Sequence, residues 1–380
     1  MKSFDIRTKI YFGDNALDRL LELDYRKIMI ITDPFIEKSG LLKLITDRLQ
    51  QAFIDFCIFS DVVPDPPLEK ITAGVKFLLE TDPDCIVAIG GGSAIDSAKS
   101  IREFAMRANG KEIALIAIPT TSGTGSEVTS FAVVTDVQNN VKYPLVSNSM
   151  LPTEAILDAE LVKSVPASVT ADTGMDVLTH AIEAYVSINN NEFSAALAEK
   201  AIEICGSFLL RSYLDNNDKH ARAKMHVASC LAGLAFNSAS LGLNHGIAHA
   251  VGARFHIPHG RANAIVLPHV IEFNSGIDKH SKRQSSYPKC VEKYCNIAKL
   301  LGVNNFNEIT TIRALVGWVQ LMNKEMNIPL SISQCGIEKS EYMNAVPEMA
   351  DHAIADACTA TNPRIPSKAE VCLILEHLYD

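Results

Sequence analysis

CIVAIGGGSAIDSAKS (85–100) begins as a short apolar run, bends at three consecutive glycines and continues as a helix-forming stretch. The pattern predicts a buried strand, a tight turn and a helix that opens at the turn. Glycines there let backbone N–H groups approach an anion, and the helix N-terminus carries partial positive charge. The spacing is neither G-x-G-x-x-G nor G-x-x-x-x-G-K-[ST]. The triplet alone therefore leaves two readings open, a diphosphate cradle or an ordinary strand–helix turn. Asp96 lies one turn into the helix, where it can cap the helix or meet a ligand.

Working outward, short apolar strands alternate with helical patterns. KIMIITD (27–33), FCIFSDV (56–62) and IALIAIP (113–119) read as strands, and 35–51, 68–80 and 94–108 as helices. PDPPLE (64–69) is turn chemistry between two such units. Alternation of this kind predicts a parallel sheet with crossover helices, a Rossmann-like arrangement. FAVVTD (131–136) and KYPLVSN (142–148) read as a hairpin around an Asn-rich turn, and AILD (155–158) as one more strand. From about 166 long amphipathic stretches dominate: 168–188, 192–214, 219–240, 287–301 and 308–326. The expected organisation is an α/β domain over 1–160 and an all-α domain over 161–380, the first read below as dinucleotide-binding and the second as the metal-binding and substrate domain.

A second loop strengthens the nucleotide reading. Residues 120–127, TTSGTGSE, carry five hydroxyls and two glycines directly after a strand that ends in Pro119. Both loops leave the carboxyl ends of parallel strands, where open α/β sheets bind ligands. Asp33 ends the first strong strand. An acid there either accepts from a ribose 2′-OH and repels a 2′-phosphate, favouring NAD over NADP, or simply caps the next helix.

Composition narrows the class. At ~150 residues per domain, 380 residues predict two domains, large enough to fold without disulfide or zinc staples. A hydrophobic share of 47% with 21% charged residues excludes disorder, collagen and coiled coil. The net charge of −9 leaves no footprint for nucleic acid or an anionic membrane. Nine irregularly spaced cysteines, an odd count with no C-x-x-C, read as reduced thiols. The N-terminus lacks a signal-peptide core, and no run of about 18 apolar residues exists, so a cytoplasmic protein is expected.

The histidines carry the chemistry. Asp176 and His180 lie four apart in TGMDVLTHAIEAY, on one face of a predicted helix. Among apolar neighbours such a pair needs a partner, either a metal or a salt bridge. His245, His249, His256 and His259 follow within fifteen positions, and His259 sits in a Pro-His-Gly turn that starts another helix. One aspartate with several histidines suits zinc or ferrous iron better than magnesium. Spacing does not choose between His245 and His249. His220, His226, His269, His280, His352 and His377 read as surface or satisfied histidines.

GGGSAIDSAK (90–99), PTTSGTGSEVT (119–129), GMDVLTHAIEAY (174–185) and HGIAHAVG…PHGRANAI (245–265) together closely resemble the iron-containing alcohol dehydrogenases. The resemblance runs through ITD (31–33) and CTATNPR (358–364), covering essentially the whole chain. Within the family it is nearest to the propanol dehydrogenases of propanediol utilisation and the alcohol-dehydrogenase half of aldehyde–alcohol dehydrogenases. It implies the two-domain fold shared with dehydroquinate synthase. It also implies Asp176, His180, His245 and His259 as ligands of Fe²⁺, with Zn²⁺ as a substitute, and His249 as a proton-transfer residue. For NAD(H) it implies Asp33 at the ribose, Gly91, Gly92, Ser93 and Asp96 at the diphosphate, and Thr120, Thr121, Thr124 and Lys142 as further contacts. Phe131, Phe236 and Cys358 would line the substrate pocket in a cleft between the halves.

The implied reaction is hydride transfer between a short-chain primary alcohol or aldehyde and nicotinamide, with the metal as Lewis acid. The implied partners are that small molecule and further copies of the chain, since a strand near 8–12 could pair across an interface. Association with a bacterial microcompartment is a further expectation. The competing readings are a lactaldehyde- or 1,3-propanediol-type diol dehydrogenase, a dehydroquinate synthase-like lyase, and a binding protein with a vestigial site. The lyase needs a basic cluster, for which only Arg254 and Arg261 are at hand near the histidines.

Overall fold

The apolar run Cys85–Gly90 is a strand buried along its whole length. Its alternate side chains feed two separate cores, which makes it the centre of a three-layer sandwich. The computed structural model describes residues 4–136, 141–282 and 285–380. The chain folds as two compact units, Met1–Ser164 and Val165–Asp380.

The first unit runs β1 (Lys9–Phe12), β2 (Lys27–Ile31), α1 (Pro34–Ser39), α2 (Leu41–Gln51), β3 (Asp55–Phe59), α3 (Leu68–Thr81), β4 (Cys85–Gly90), α4 (Gly92–Asn109), β5 (Ala114–Pro119), β6 (Phe131–Asp136), β7 (Val141–Val146) and β8 (Glu154–Leu157). Six strands form one sheet in the order β1-β8-β5-β4-β2-β3, every pair parallel. Because strand side chains alternate, Ile28, Ile30, Val87 and Ile89 enter one core with α2, while Met29, Ile31, Ile86 and Ala88 enter the other with α3 and α4. A sheet covered on both faces is why these strands read as continuous apolar runs.

The helix expected over 35–51 is two helices. Gly40, at φ +84°, ends α1 and starts α2, a backbone conformation that breaks the α-ladder. The hairpin is present as the antiparallel pair β6–β7, and residues 137–140 of its turn lie outside the described residues. The early strand β1 finds its partner within the chain, pairing in parallel with β8.

Chain direction places the ligand-binding edge. From β2 the chain proceeds to β3 on one side, and from β4 to β5 on the other. The carboxyl ends of β2 and β4 therefore flank a topological switch point. Asp33 and the glycine triplet sit at those two ends.

The second unit is helical: α5 (Ala167–Val186), α6 (Glu192–Leu214), α7 (Lys219–Ala239), α8 (Leu243–Phe255), α9 (His259–Ser275), α10 (Pro288–Leu300), α11 (Glu308–Glu325), α12 (Lys339–Ala355) and α13 (Lys368–His377). Helix α5 is buried nearly all round and packs on α6, α7, α9 and α10, so its polar residues face other helices instead of water. No single helix among the described residues is long and apolar enough to cross a membrane.

Candidate functional site

In the first unit the glycine triplet and the hydroxyl loop are pressed together. β4 and β5 are adjacent, with Gly90 opposite Pro119, and Thr120 N donates to Gly90 O at 2.9 Å. Gly90 takes φ +151°, which L side chains rarely adopt. A Cβ on Gly92 would stand 2.8 Å from Thr124 Cγ2, and one on Gly91 would touch Thr121 Oγ1 at 3.4 Å. Ser93 follows in the first turn of α4, where N–H groups lack intrahelical acceptors.

Asp33 caps α1: its Oδ1 accepts from Phe35 N and Ile36 N at 2.8 and 3.0 Å. Its Oδ2 is directed at Gly90, 3.3 Å from where a Cβ would be. Asp96 does not face the turn's backbone. Its two oxygens accept from Ser126 Oγ at 2.6 Å and Val133 N at 3.0 Å, bracing the loop instead. Lys99 completes that brace from α4, donating to Ser126 Oγ, Thr129 Oγ1 and Phe131 O at 2.9, 3.1 and 2.9 Å. Burial pulls the Lys99 ammonium down to about 8 and pushes the neighbouring Glu127 carboxyl up to about 7. Lys142 lies in β7, and its side chain is outside the described residues.

In the second unit three helices bring the metal-type donors together. Asp176 and His180 come from α5, His245 from α8 and His259 from the first residue of α9. One donor atom from each lies within 4.8 Å of all the others. Asp176 Oδ1 is 3.9 Å from His180 Nε2, 3.8 Å from His245 Nε2 and 3.4 Å from His259 Nε2. Burial, then the neighbouring imidazoles, hold His245 well below the ordinary histidine range. It is therefore neutral, the state that ligates a metal. Burial also pushes Asp176 up, since a lone carboxylate there lacks water; a divalent cation is the compensation this donor set suits. The residues fit such an ion: three imidazoles and one carboxylate converge, with all but His259 buried.

Two further residues hold these donors and a third holds His249, and none of the three stood out in the sequence. Glu183 lies on α5 one turn beyond His180. Its Oε1 accepts from Asn244 N at 2.7 Å, and its Oε2 hydrogen-bonds His245 Nδ1. That bond turns His245 Nε2 toward Asp176. Burial pushes the Glu183 carboxyl up to about 8, against the backbone donors at the start of α8. Asn263 Nδ2 donates to Asp176 Oδ1 at 2.7 Å and lies 3.1 Å from both His245 Nε2 and His259 Nε2. Asp356, in the segment after α12, binds His249 Nδ1 at 2.8 Å. The 176/180/183 spacing, one face of one helix, was the available signal for Glu183. Asp356 had none, being 107 residues from His249.

His249 is not one of the four donors around Asp176; its Nδ1 is held by Asp356 while its ring stacks on His259 at 5.2 Å. Of the pocket residues expected, Phe236 is buried and stacks on His180 at 4.5 Å. Cys358 N donates to Asp356 Oδ1 at 2.8 Å. Phe131 belongs to the first unit, on β6 beside Lys99.

An open parallel sheet with a glycine turn at its switch point, in one chain with a helical unit that gathers a carboxylate and three imidazoles, defines a class: an enzyme built for a nucleotide cofactor and a divalent metal. Two family models match, iron-containing alcohol dehydrogenase over residues 7–159 and the Fe-containing alcohol dehydrogenase C-terminal family over 170–379. The chain belongs to the iron-containing alcohol dehydrogenase family. It is 42% identical over 379 residues to the 1-propanol dehydrogenase PduQ of Citrobacter freundii, covering 100% of both chains. It is 38% identical to an NADPH-dependent butanol dehydrogenase of Clostridium saccharobutylicum, covering 100% of this chain and 98% of that one. A crystal structure of a 1,3-propanediol oxidoreductase superposes with a TM-score of 0.89 at 30% identity, covering 100% of both.

Proposed function

We propose that this protein interconverts short-chain primary alcohols and aldehydes, 1-propanol and propanal or ethanol and acetaldehyde, using NAD(H) and Fe²⁺. The observation that carries the reading is the convergence of Asp176, His180, His245 and His259 within 4.8 Å. When bound, the cation supplies Lewis acidity and the nicotinamide supplies or accepts hydride.

The chain's own residues do the rest. The N–H groups of Gly91, Gly92 and Ser93 receive the cofactor diphosphate, with the hydroxyls of Thr120, Thr121 and Thr124 beside them and Lys142 as a further contact. The free Oδ2 of Asp33 accepts from the adenosine ribose. His249, held through Nδ1 by Asp356 and 43% exposed, exchanges the reaction proton with solvent. Phe236 and Cys358, both in the second unit, line the substrate pocket. The Phe236 ring beside His180 favours an apolar chain, because an apolar wall leaves additional hydroxyls unpaired. Similarity to a 1-propanol dehydrogenase supports a three-carbon substrate. The butanol dehydrogenase relative uses NADPH, so the preference for NAD(H) rests on Asp33. We place the protein in the cytoplasm as a homo-oligomer, with association to a propanediol-utilising microcompartment, and assign cofactor binding to the first unit and metal and substrate to the second.

The test is a panel of acetaldehyde, propanal, butanal and lactaldehyde with NADH and NADPH, and of glycerol with NAD⁺ and NADP⁺, before and after chelation. Propanal or acetaldehyde with NADH should be fastest, and chelation should abolish turnover. A preference for lactaldehyde would favour the diol-dehydrogenase reading. No metal-dependent oxidation of NADH with any aldehyde would overturn the proposal.

A further inference from the structure

His249, Asp356 and Cys358 form a second set of metal donors in the helical unit. One ligand atom from each lies within 4.8 Å of the other two. They come from two places, α8 and the segment after α12, and Asp356 ties them together. Its Oδ2 binds His249 Nδ1 and its Oδ1 binds the backbone N–H of Cys358, both at 2.8 Å. Among the described residues, no other cysteine joins two further donors in this way.

The chemistry of this set differs from that of the four-donor cluster. Asp176, His180, His245 and His259 offer only nitrogen and oxygen. The second set adds a sulfur, and thiolate selects soft, d¹⁰ cations. Imidazole, carboxylate and thiolate with one open position is a tetrahedral site for zinc-like ions, with bonds of roughly 2.0–2.3 Å. Small side-chain movements close a set already this near. The half-exposed His249 leaves a route in from solvent.

We propose that His249, Asp356 and Cys358 bind one soft divalent cation, Zn²⁺ or Cd²⁺, and that its binding stops turnover while iron remains in the first cluster. New bonds form from His249 Nδ1, an Asp356 oxygen and Cys358 Sγ to the cation. The thiol proton leaves to solvent, and the imidazole gives up its Nδ1 proton, now held toward Asp356, and takes one from solvent on Nε2, so the ring stays neutral. Inhibition follows because His249 is then fixed and Cys358 occupied. That part rests on the roles given to both residues above; the binding part does not.

The iron-loaded enzyme is titrated with Cd²⁺. Bound cadmium and iron are measured by elemental analysis, thiolate–cadmium charge-transfer absorption by spectroscopy, and propanal reduction by NADH oxidation. The expected result is one added equivalent of cadmium, a new absorption band, unchanged iron and a rate lowered about tenfold or more. A large excess of Zn²⁺ should displace the cadmium and erase the band. Cys358→Ser should lose both band and added cadmium while keeping its iron, and Asp356→Asn should weaken cadmium binding about tenfold. Iron lost in step with cadmium gained would mean exchange in the first cluster and would overturn the proposal. So would a band that persists in Cys358→Ser, or no cadmium bound. Absence of turnover in the untreated enzyme would instead fail the function proposed above, since band and stoichiometry need no turnover.

Discussion

Asp33 and Glu183 each serve two partners with one carboxylate, and that double duty makes them testable. Asp33 caps α1 with Oδ1, and its Oδ2, directed at Gly90, is the oxygen we propose for the cofactor ribose. Asn caps a helix nearly as well but carries no charge. Asp33→Asn should therefore retain thermal stability while raising kcat/KM for NADPH about tenfold, which corresponds to ~1.4 kcal/mol of relieved repulsion. A steady-state comparison of the two cofactors checks it. Glu183 accepts from Asn244 N and orients His245. Gln keeps one acceptor but presents an amide to His245 Nδ1. Glu183→Gln should weaken iron binding about 10–100-fold, read by competition with a chelator of known affinity.

Among the elements, the approach of α9 to α5 is set by Gly260. A Cβ there would overlap the carbonyl of Asp172 and stand 3.2 Å from Asp176 Cβ. Arg261 beside it pairs with both oxygens of Asp172 at 3.1 Å. Gly260→Ala must push the two helices apart, separating His259 from Asp176. It should cost about 1–3 kcal/mol in denaturant unfolding and lower bound iron in the purified protein.

In the sheet unit, α4 grips the hydroxyl loop through Lys99, with Glu127 buried beside it. Burial raises Glu127 to about 7, so between roughly pH 4.5 and 7 the folded chain holds a proton that the unfolded chain releases. Stability from this group is present at low pH and is lost as pH rises to 7, by something of the order of 3 kcal/mol. Unfolding of the wild type at pH 5 and pH 8 should show a fall of at least that size, and Glu127→Gln should remove this share of it while leaving the share that Glu183 contributes.

At the scale of the molecule, the two units respond differently to metal. The donors of the first cluster come from α5, α8 and α9, all in the second unit. An ion that binds only the folded state stabilises it, by about 2.7 kcal/mol at a hundredfold excess over Kd. Iron should raise the melting temperature and slow hydrogen exchange in those three helices, with β4 protected equally with and without metal. Uniform protection across both units would contradict that localisation.

Much of the architecture was legible because its determinants are local. Apolar runs such as 85–89, glycine punctuation and 3.6-residue periodicity act within a few residues, and they marked the strands and most helices. Gly40 was missed as a break because a single glycine is tolerated in a helical pattern until its φ is known. The donors were legible as residue types at helical spacing. Which of them meet was not, because His245 and His249 lie four apart on one helix and present the same pattern. Only the packing of α5 and α9 against α8 decided that His245 faces Asp176, and only the return of the chain after α12 set Asp356 against His249. Sequence determined the elements and the chemistry each carries. Tertiary structure decided the pairings, because a buried carboxylate takes its partner from whatever the fold brings within hydrogen-bond reach, however distant in the chain.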